Sequence, residues 1–303
     1  MTNRVKLDQY DYQQIDQVIQ AYSNIQRFDI QAIADDCQLD QYTLYRLFQQ
    51  WCGVSPKTFL TSLSSSALQI KLHEAVKRSD YSQVVIKTTH TPIRQAITWS
   101  MVTSPFGLMA AASVEQGLCY LQFVDHPDQA LPLLEAAYPQ VKLRQSDHPH
   151  FAVLNQWINQ FDQVIDEPLM LYLHGTPFQT RVWTSLTNIA YSAVVSYQQQ
   201  AARFFESTAT RALASAVAAN PIALIVPCHR VIRHNGSSHQ YRWGAARKLA
   251  ILGWEAVQSA ETRSAETRSA QTRSGVIQAT ETLSEASSQS VKTTRSDVVR
   301  LFR

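Results

Sequence analysis

The hydrophobic pattern of this chain changes period twice, which excludes a uniform helical bundle or a plain sandwich. Between residues 8 and 78, apolar side chains recur at helical spacing, as at Ile15, Val18, Ile19 and Tyr22. From 98 to 173 the pattern turns strand-like. Gly107–Ser113 and Leu118–Phe123 read as strands joined through Glu115-Gln116-Gly117, a hairpin signal. Helical patterns near 129–137 and 151–164 and a short apolar strand at Leu169–Tyr172 complete a small α/β unit with an antiparallel sheet. From Pro177 to Glu255 the chain is helical and Ala-rich again. The expected organisation is multidomain, α and α/β: a helical domain over 8–97, an α/β subdomain over 98–173, an all-α domain over 174–256 and a tail over 257–303.

At 303 residues and 45% hydrophobic content the chain can bury a sizeable core. The tail differs. Residues 259–274 repeat Ser-Ala-Glu/Gln-Thr-Arg three times, and Ser, Thr, Glu, Gln and Arg dominate to the end. Burial there cannot offset ordering entropy, so disorder is expected; Val298-Val299-Arg300-Leu301-Phe302, a lone apolar cluster at its tip, reads as a random terminal cluster, with a short docking peptide as the alternative. No stretch approaches the ~20 apolar residues of a membrane span, and Met1-Thr2-Asn3-Arg4 opens no signal peptide. Four cysteines, at 37, 52, 119 and 228, lack paired spacing. They point to a reducing cytoplasm and away from a disulfide scaffold or a four-cysteine zinc site. No metal, cofactor or membrane partner is expected, and a monomer is.

Charge is segregated. Residues 171–255 hold eight Lys or Arg against two Asp or Glu, directly behind 99–170 with two against eight. A positive block suits a phosphate-binding surface. Chance asymmetry between two subdomains gives the same count, and charge does not choose between them.

In the first helical segment, Asp29 is a plausible N-cap for Ile30–Ala34, and a turn around Cys37-Gln38-Leu39-Asp40 leads into Gln41–Phe48. A short-turned polar helix pair is a helix-turn-helix candidate. Ile33-Ala34, Leu39, Leu44-Tyr45-Arg46-Leu47-Phe48 and Gly53–Leu60 resemble the "LA…S…L.RLFK…G.SP..YL" run of AraC-type regulators. That family carries two such motifs, and residues 79–97 are too short and too poorly patterned for a second. Arg46 is the only cation on the candidate reading helix. A helical bundle without sequence-specific binding is the competing reading.

The chemistry concentrates at Asn220–Ile232, where an apolar run delivers Pro227-Cys228-His229. A thiol beside a histidine is a nucleophile pattern, because the thiolate attacks and a nearby base helps make it. The string Pro227-Cys228-His229-Arg230-Val231 resembles the "PCHRV" motif of O6-methylguanine-DNA methyltransferases. Tyr241-Arg242-Trp243-Gly244, Gly175-Thr176-Pro177-Phe178 and Val182-Trp183 extend the resemblance over roughly 98–255, particularly to the C-terminal half of Ada-type proteins.

That resemblance implies an RNase H-like sheet subdomain, a winged-helix-like methyltransferase domain, and repair of O6-alkylguanine, with O4-alkylthymine as a further substrate, in double-stranded DNA. Cys228 takes the place of the alkyl acceptor and His229 that of the water-linked base. Glu255, 27 residues on from the cysteine, orients the histidine, at the end of the last helix. Asn220 bridges the recognition helix to the active-site loop. Arg211 is the finger that fills the gap left by the flipped base, and Ser196, Tyr197, Ala212 and Ala216 join it as DNA-contacting positions. Tyr197 rotates the 3′ phosphate and protonates the departing guanine. Val231, Tyr241 and Val217 line the substrate pocket. Small residues after Arg211 suit close approach to the minor groove, where readout is degenerate.

Three family glycines are replaced, within Tyr191-Ser192-Ala193-Val194, Phe204-Phe205-Glu206-Ser207 and at Gln240, so strained turns and a narrowed pocket are expected. With an unperturbed pKa near ~8.5 a thiol is about 3% ionised at neutral pH, so full ionisation gains at most roughly 30-fold. Placement and leaving-group stabilisation must supply the rest. The alternative function is an AraC-type transcription regulator, bound to promoter DNA, whose methyltransferase domain senses alkylation damage.

Overall fold

The computed structural model describes residues 9–24, 29–73, 84–159, 167–237 and 241–260. The tail from 261, including the 298–302 cluster, and Gln240 lie outside them. The chain divides into two compact units, Met1–Val257 and Gln258–Arg303, and the first holds the sheet and every residue of the site.

Helix α1 (Gln9–Asn24) buries Tyr12, Ile15, Val18 and Ile19 on one face. Asp29 caps α2 (Ile30–Asp36) by accepting from the Gln31 and Ala32 amides. After a turn in which Gln38 adopts φ 57, Asp40 caps α3 (Gln41–Cys52) through the Thr43 amide, and Gly53 ends it at φ 82. Each cap satisfies amides that a helix end leaves orphaned. Helices α4 (Pro56–Ser62) and α5 (Ser65–His73) come next. On α3, Leu44, Leu47, Phe48 and Trp51 face inward, while Tyr42, Tyr45 and Arg46 stay exposed.

The sheet differs from expectation. It has six strands: β1 (Val84–Thr89), β2 (Ile97–Ser104), β3 (Gly107–Val114), β4 (Gly117–Phe123), β5 (Leu143–Gln145) and β6 (Leu169–His174), in the order β1-β6-β4-β3-β2-β5. Only the β2-β3-β4 meander is antiparallel; β1–β6, β4–β6 and β2–β5 are parallel. The sheet is therefore mixed, and β1 comes from the span expected to be helical. Its partner β6 lies across α6 (Ala130–Ala137) and α7 (Pro149–Asn159), the kind of long connection that parallel pairing requires.

The C-terminal layer holds α8 (Pro177–Leu186), α9 (Tyr197–Phe204), α10 (Thr210–Ala218) and α11 over 245–260. It is not all-α, because β7 (Val195–Ser196) pairs in parallel with β8 (Val231–Ile232). That short pair brings the start of α9 beside the segment just after Cys228. Aromatic rings tie the layers together. Trp51 of α3 lies 5.2 Å from Trp254 of α11 and donates its Nε1 to Pro105 O at 2.8 Å in the β2–β3 turn. No helix among the described residues is long and apolar enough to cross a membrane.

Candidate active site

The segment after α10 makes the site. Asn220 is fully buried and works as a staple: its Nδ2 donates to Ile222 O at 3.0 Å, Val226 O at 2.9 Å and Cys228 Sγ at 3.1 Å, while its Oδ1 accepts from the Ile222 amide. Leu224, at φ 66, turns the apolar run in a conformation that L residues rarely adopt. The chain then enters a single 3-10 turn, Cys228–Arg230. Cys228 is 4% exposed and lines a cleft of about 1310 Å³ together with Tyr197, Arg211, Val217 and Tyr241.

Behind the thiol lies a buried ionic cluster. His229 Nε2 meets Glu255 Oε1 at 2.9 Å. Arg230 adds Nη2 to the same oxygen at 2.9 Å, bridges both oxygens through Nε and reaches Ile189 O through Nη1. Burial alone would push the Glu255 carboxyl up, but Arg230 and then His229 outweigh it and hold it at about 2. Burial pushes His229 down despite Glu255, so the imidazole stays neutral. With Nε2–H directed at a carboxylate, Nδ1 carries the lone pair, and it is buried without a protein partner. The Cys228 thiol is pushed up by burial, against the pull of Asn220, Lys248 and Tyr241, and so rests protonated. Tyr197 is likewise pushed up, by burial and then by Cys228, and keeps its proton.

The expected residues do not all meet at the cleft. Ser196 is 4% exposed, with its hydroxyl capping α9 at Gln199 N and its amide donating to Gln199 Oε1. Ala216 is 3% exposed on the inward face of α10, and its carbonyl accepts from Trp183 Nε1 at 2.8 Å; Ala214 and Ala218 line the cleft instead. Neither Ser196 nor Ala216 is offered to a DNA groove, whereas Arg211 and Ala212 are exposed. Val231 is fully buried in β8 rather than on the cleft wall, and its carbonyl holds Lys248 Nζ at 2.7 Å. Glu255 sits within α11, not at its end. Of the replaced glycines, Ser192 does sit at φ 64, whereas Phe205 adopts relaxed extended backbone at φ −143.

Sequence reasoning missed three cations on the cleft: Lys248, Arg233 and Arg242. Lys248 is 2% exposed, and burial drags its ammonium down to about 8 although Cys228 pulls the other way. It stands on α11 seven residues before Glu255, on the same side of the helix. That two-turn spacing of charges in an apolar helix was the available clue.

A buried thiol on a cation-lined cleft, with a neutral imidazole and a carboxylate beside it, is an arrangement suited to a nucleophile that meets an anionic polymer. Comparison with known proteins agrees. Residues 177–257 match the 6-O-methylguanine DNA methyltransferase DNA binding domain, and 24–61 match the bacterial regulatory helix-turn-helix proteins of the AraC family. The bifunctional transcriptional activator/DNA repair enzyme Ada of Escherichia coli K12 is 29% identical over 250 residues, 75% of this chain and 70% of that protein. The regulatory protein ada of Salmonella typhimurium LT2 is 30% identical over 249 residues, 74% of this chain and 69% of that protein. The solved Mycobacterium tuberculosis OGT in complex with DNA is 29% identical, covering 52% of this chain and 92% of that one at a TM-score of 0.45. The chain belongs to the Ada family, in which an AraC-type helix-turn-helix and a methylated-DNA–protein-cysteine methyltransferase share one polypeptide.

Proposed function

We propose that this chain repairs O6-alkylguanine, and O4-alkylthymine, in duplex DNA by moving the alkyl group irreversibly onto Cys228. The observation that carries this is the buried Cys228 thiol on a cleft rimmed by Arg211, Arg233 and Arg242, with its sequence neighbour His229 held to Glu255 at 2.9 Å. A base cannot be dealkylated inside the stack, so the nucleotide is extruded into the cleft. Arg211, exposed at the start of α10, fills the gap it leaves, and Ala212 faces the groove. The thiol proton passes, through one bridging water, to His229 Nδ1. Sγ attacks the alkyl carbon, the carbon–O6 bond breaks, and the guanine leaves with a proton from Tyr197. The thioether has no leaving path, so each molecule acts once. Every residue named comes from one chain, so a monomer suffices. The RNase H-like and winged-helix-like descriptions of the two layers, and a cytoplasmic setting, go with this reading.

The test is incubation with duplex DNA labelled at O6-methylguanine, then peptide mass mapping. Label on Cys228, and none after Cys228→Ser with duplex binding kept, is the expected result. Label on Cys37, Cys52 or Cys119 would sink the assignment. The exposed Tyr42, Tyr45 and Arg46 on α3 favour a second activity, promoter binding by the helix-turn-helix half.

A further inference from the structure

The last turn of α5, in the helix-turn-helix half, reaches the buried cluster behind Cys228. Lys71 Nζ donates to Ser192 O and meets Ser192 Oγ, each at 3.1 Å. The Ser192 amide in turn donates to Glu255 Oε2 at 3.1 Å, the oxygen that Arg230 Nε also holds. One residue beyond Lys71, Leu72 O accepts from Gln199 Nε2 at 3.0 Å, and Gln199 completes the capping box that starts α9 at Tyr197. At the other end of α5, a Cβ on Gly236 would meet Ser65 O at 2.5 Å, so the helix is also seated against the turn beyond β8.

Ser192 is where a grip is needed. Its φ of 64 lies in the left-handed region, which a residue with a Cβ occupies at a cost that glycine does not bear. Released from that conformation, the 191–193 turn would carry the Ser192 amide away from Glu255.

We propose that Lys71 is a positioning residue for alkyl transfer: by gripping the strained Ser192 turn, it holds Glu255, and through Glu255 the His229 imidazole, in register with Cys228. The helix-turn-helix half is then part of the repair site and not only an appended module. This role rests on alkyl transfer to Cys228 being the activity.

Because each molecule reacts once, transfer from excess O6-methylguanine duplex separates a positioning role from a merely structural one. Amplitude counts competent protein, and the saturating rate constant reports the assembled site. In the full chain, Lys71→Met lowers that rate constant about tenfold with amplitude and duplex affinity unchanged. Lys71→Arg restores most of the rate. Adding Ser192→Gly to Lys71→Met restores it as well, since glycine holds this φ without a grip. A wild-type rate constant for Lys71→Met overturns the proposal. So does a loss confined to amplitude, or a failure of both Lys71→Arg and the double variant to exceed Lys71→Met. No transfer by the wild-type chain would instead overturn the function itself, and this role with it.

Discussion

Asn220 Nδ2 stands 3.1 Å from Cys228 Sγ and aims a hydrogen at it. The same amide group takes up the Ile222 and Val226 carbonyls, so one side chain both shapes the active-site loop and stabilises the thiolate. Asn220→Asp keeps the size but donates nothing and sets a second negative charge beside the sulfur. Thiol ionisation, followed by thiolate absorbance, is expected to move to higher pH. The Ile222 and Val226 carbonyls keep the Val226 and Cys228 amides as donors, so stability falls by about 0.5–1.5 kcal/mol for each Asn220 bond lost. An unchanged ionisation midpoint would remove Asn220 from thiol activation.

Glu255 and His229 make the fold acid-labile. Both folded pKa values lie below the ordinary ones, so the unfolded chain binds protons more readily and stability drops as pH falls. The His229 contribution starts to go below about pH 6.5. That of Glu255 is complete above its ordinary 4.5 and lost as pH falls toward about 2. Glu255→Gln removes the second step but strands the buried Arg230 charge, costing about 3–5 kcal/mol at neutral pH. Circular dichroism during acid titration distinguishes them: a steep loss below pH ~4.5 for wild type, a lower and flatter curve for the variant. A variant as stable as wild type at pH 7 would mean that the carboxylate is not the partner of Arg230.

How much the sequence disclosed depends on the range of the interaction. The helix-turn-helix was legible because its signals are local: Asp29, read as a cap, bonds only two or three residues away, and Asp40, read as part of the turn, caps α3 through an amide three residues on. The Cys228 loop was legible as a contiguous motif. Strand β1 was missed although Val84-Val85-Ile86-Lys87-Thr88-Thr89 is five-sixths β-branched, because its partner β6 lies some 85 residues on. Ala216 was misplaced although Leu213, Ala216 and Val217 mark the buried face of α10 at helical spacing. The Lys71–Ser192 contact spans 121 residues and left no local trace.

Lys248 gives the site a pH-dependent helper. Its ammonium, at about 8, lies close enough to Cys228 for each to shift the other. Lys248→Met removes that field and leaves the Val231 carbonyl without its donor. Transfer by the variant is expected to be slower at neutral pH. The ratio of wild-type to variant rate then shrinks above pH about 8, where Lys248 sheds its charge. Rates measured from pH 6 to 9.5 read the ratio directly. A constant ratio would mean that Lys248 acts through packing.

Arg211 separates repair from electrostatic binding. It is the second residue of α10, exposed at the cleft, and its backbone is anchored by the buried Leu213 and Val217 just beyond it. If it served only as a point charge for phosphate, Lys at this position would keep most activity. If it occupies the space vacated by the extruded guanine, its planar head stacks and forks hydrogen bonds in a way that an ammonium cannot. Arg211→Ala is therefore expected to slow transfer from duplex DNA by about two orders of magnitude or more, since extrusion costs a few kcal/mol. Arg211→Lys should recover little. Transfer from free O6-benzylguanine needs no extrusion and should be nearly unchanged, because Arg211 lies at the cleft and not in the buried cluster behind Cys228. A pair of single-turnover rates on the two substrates decides the matter. Equal losses on both would assign Arg211 to the fold of α10, and the base-flipping role would be withdrawn.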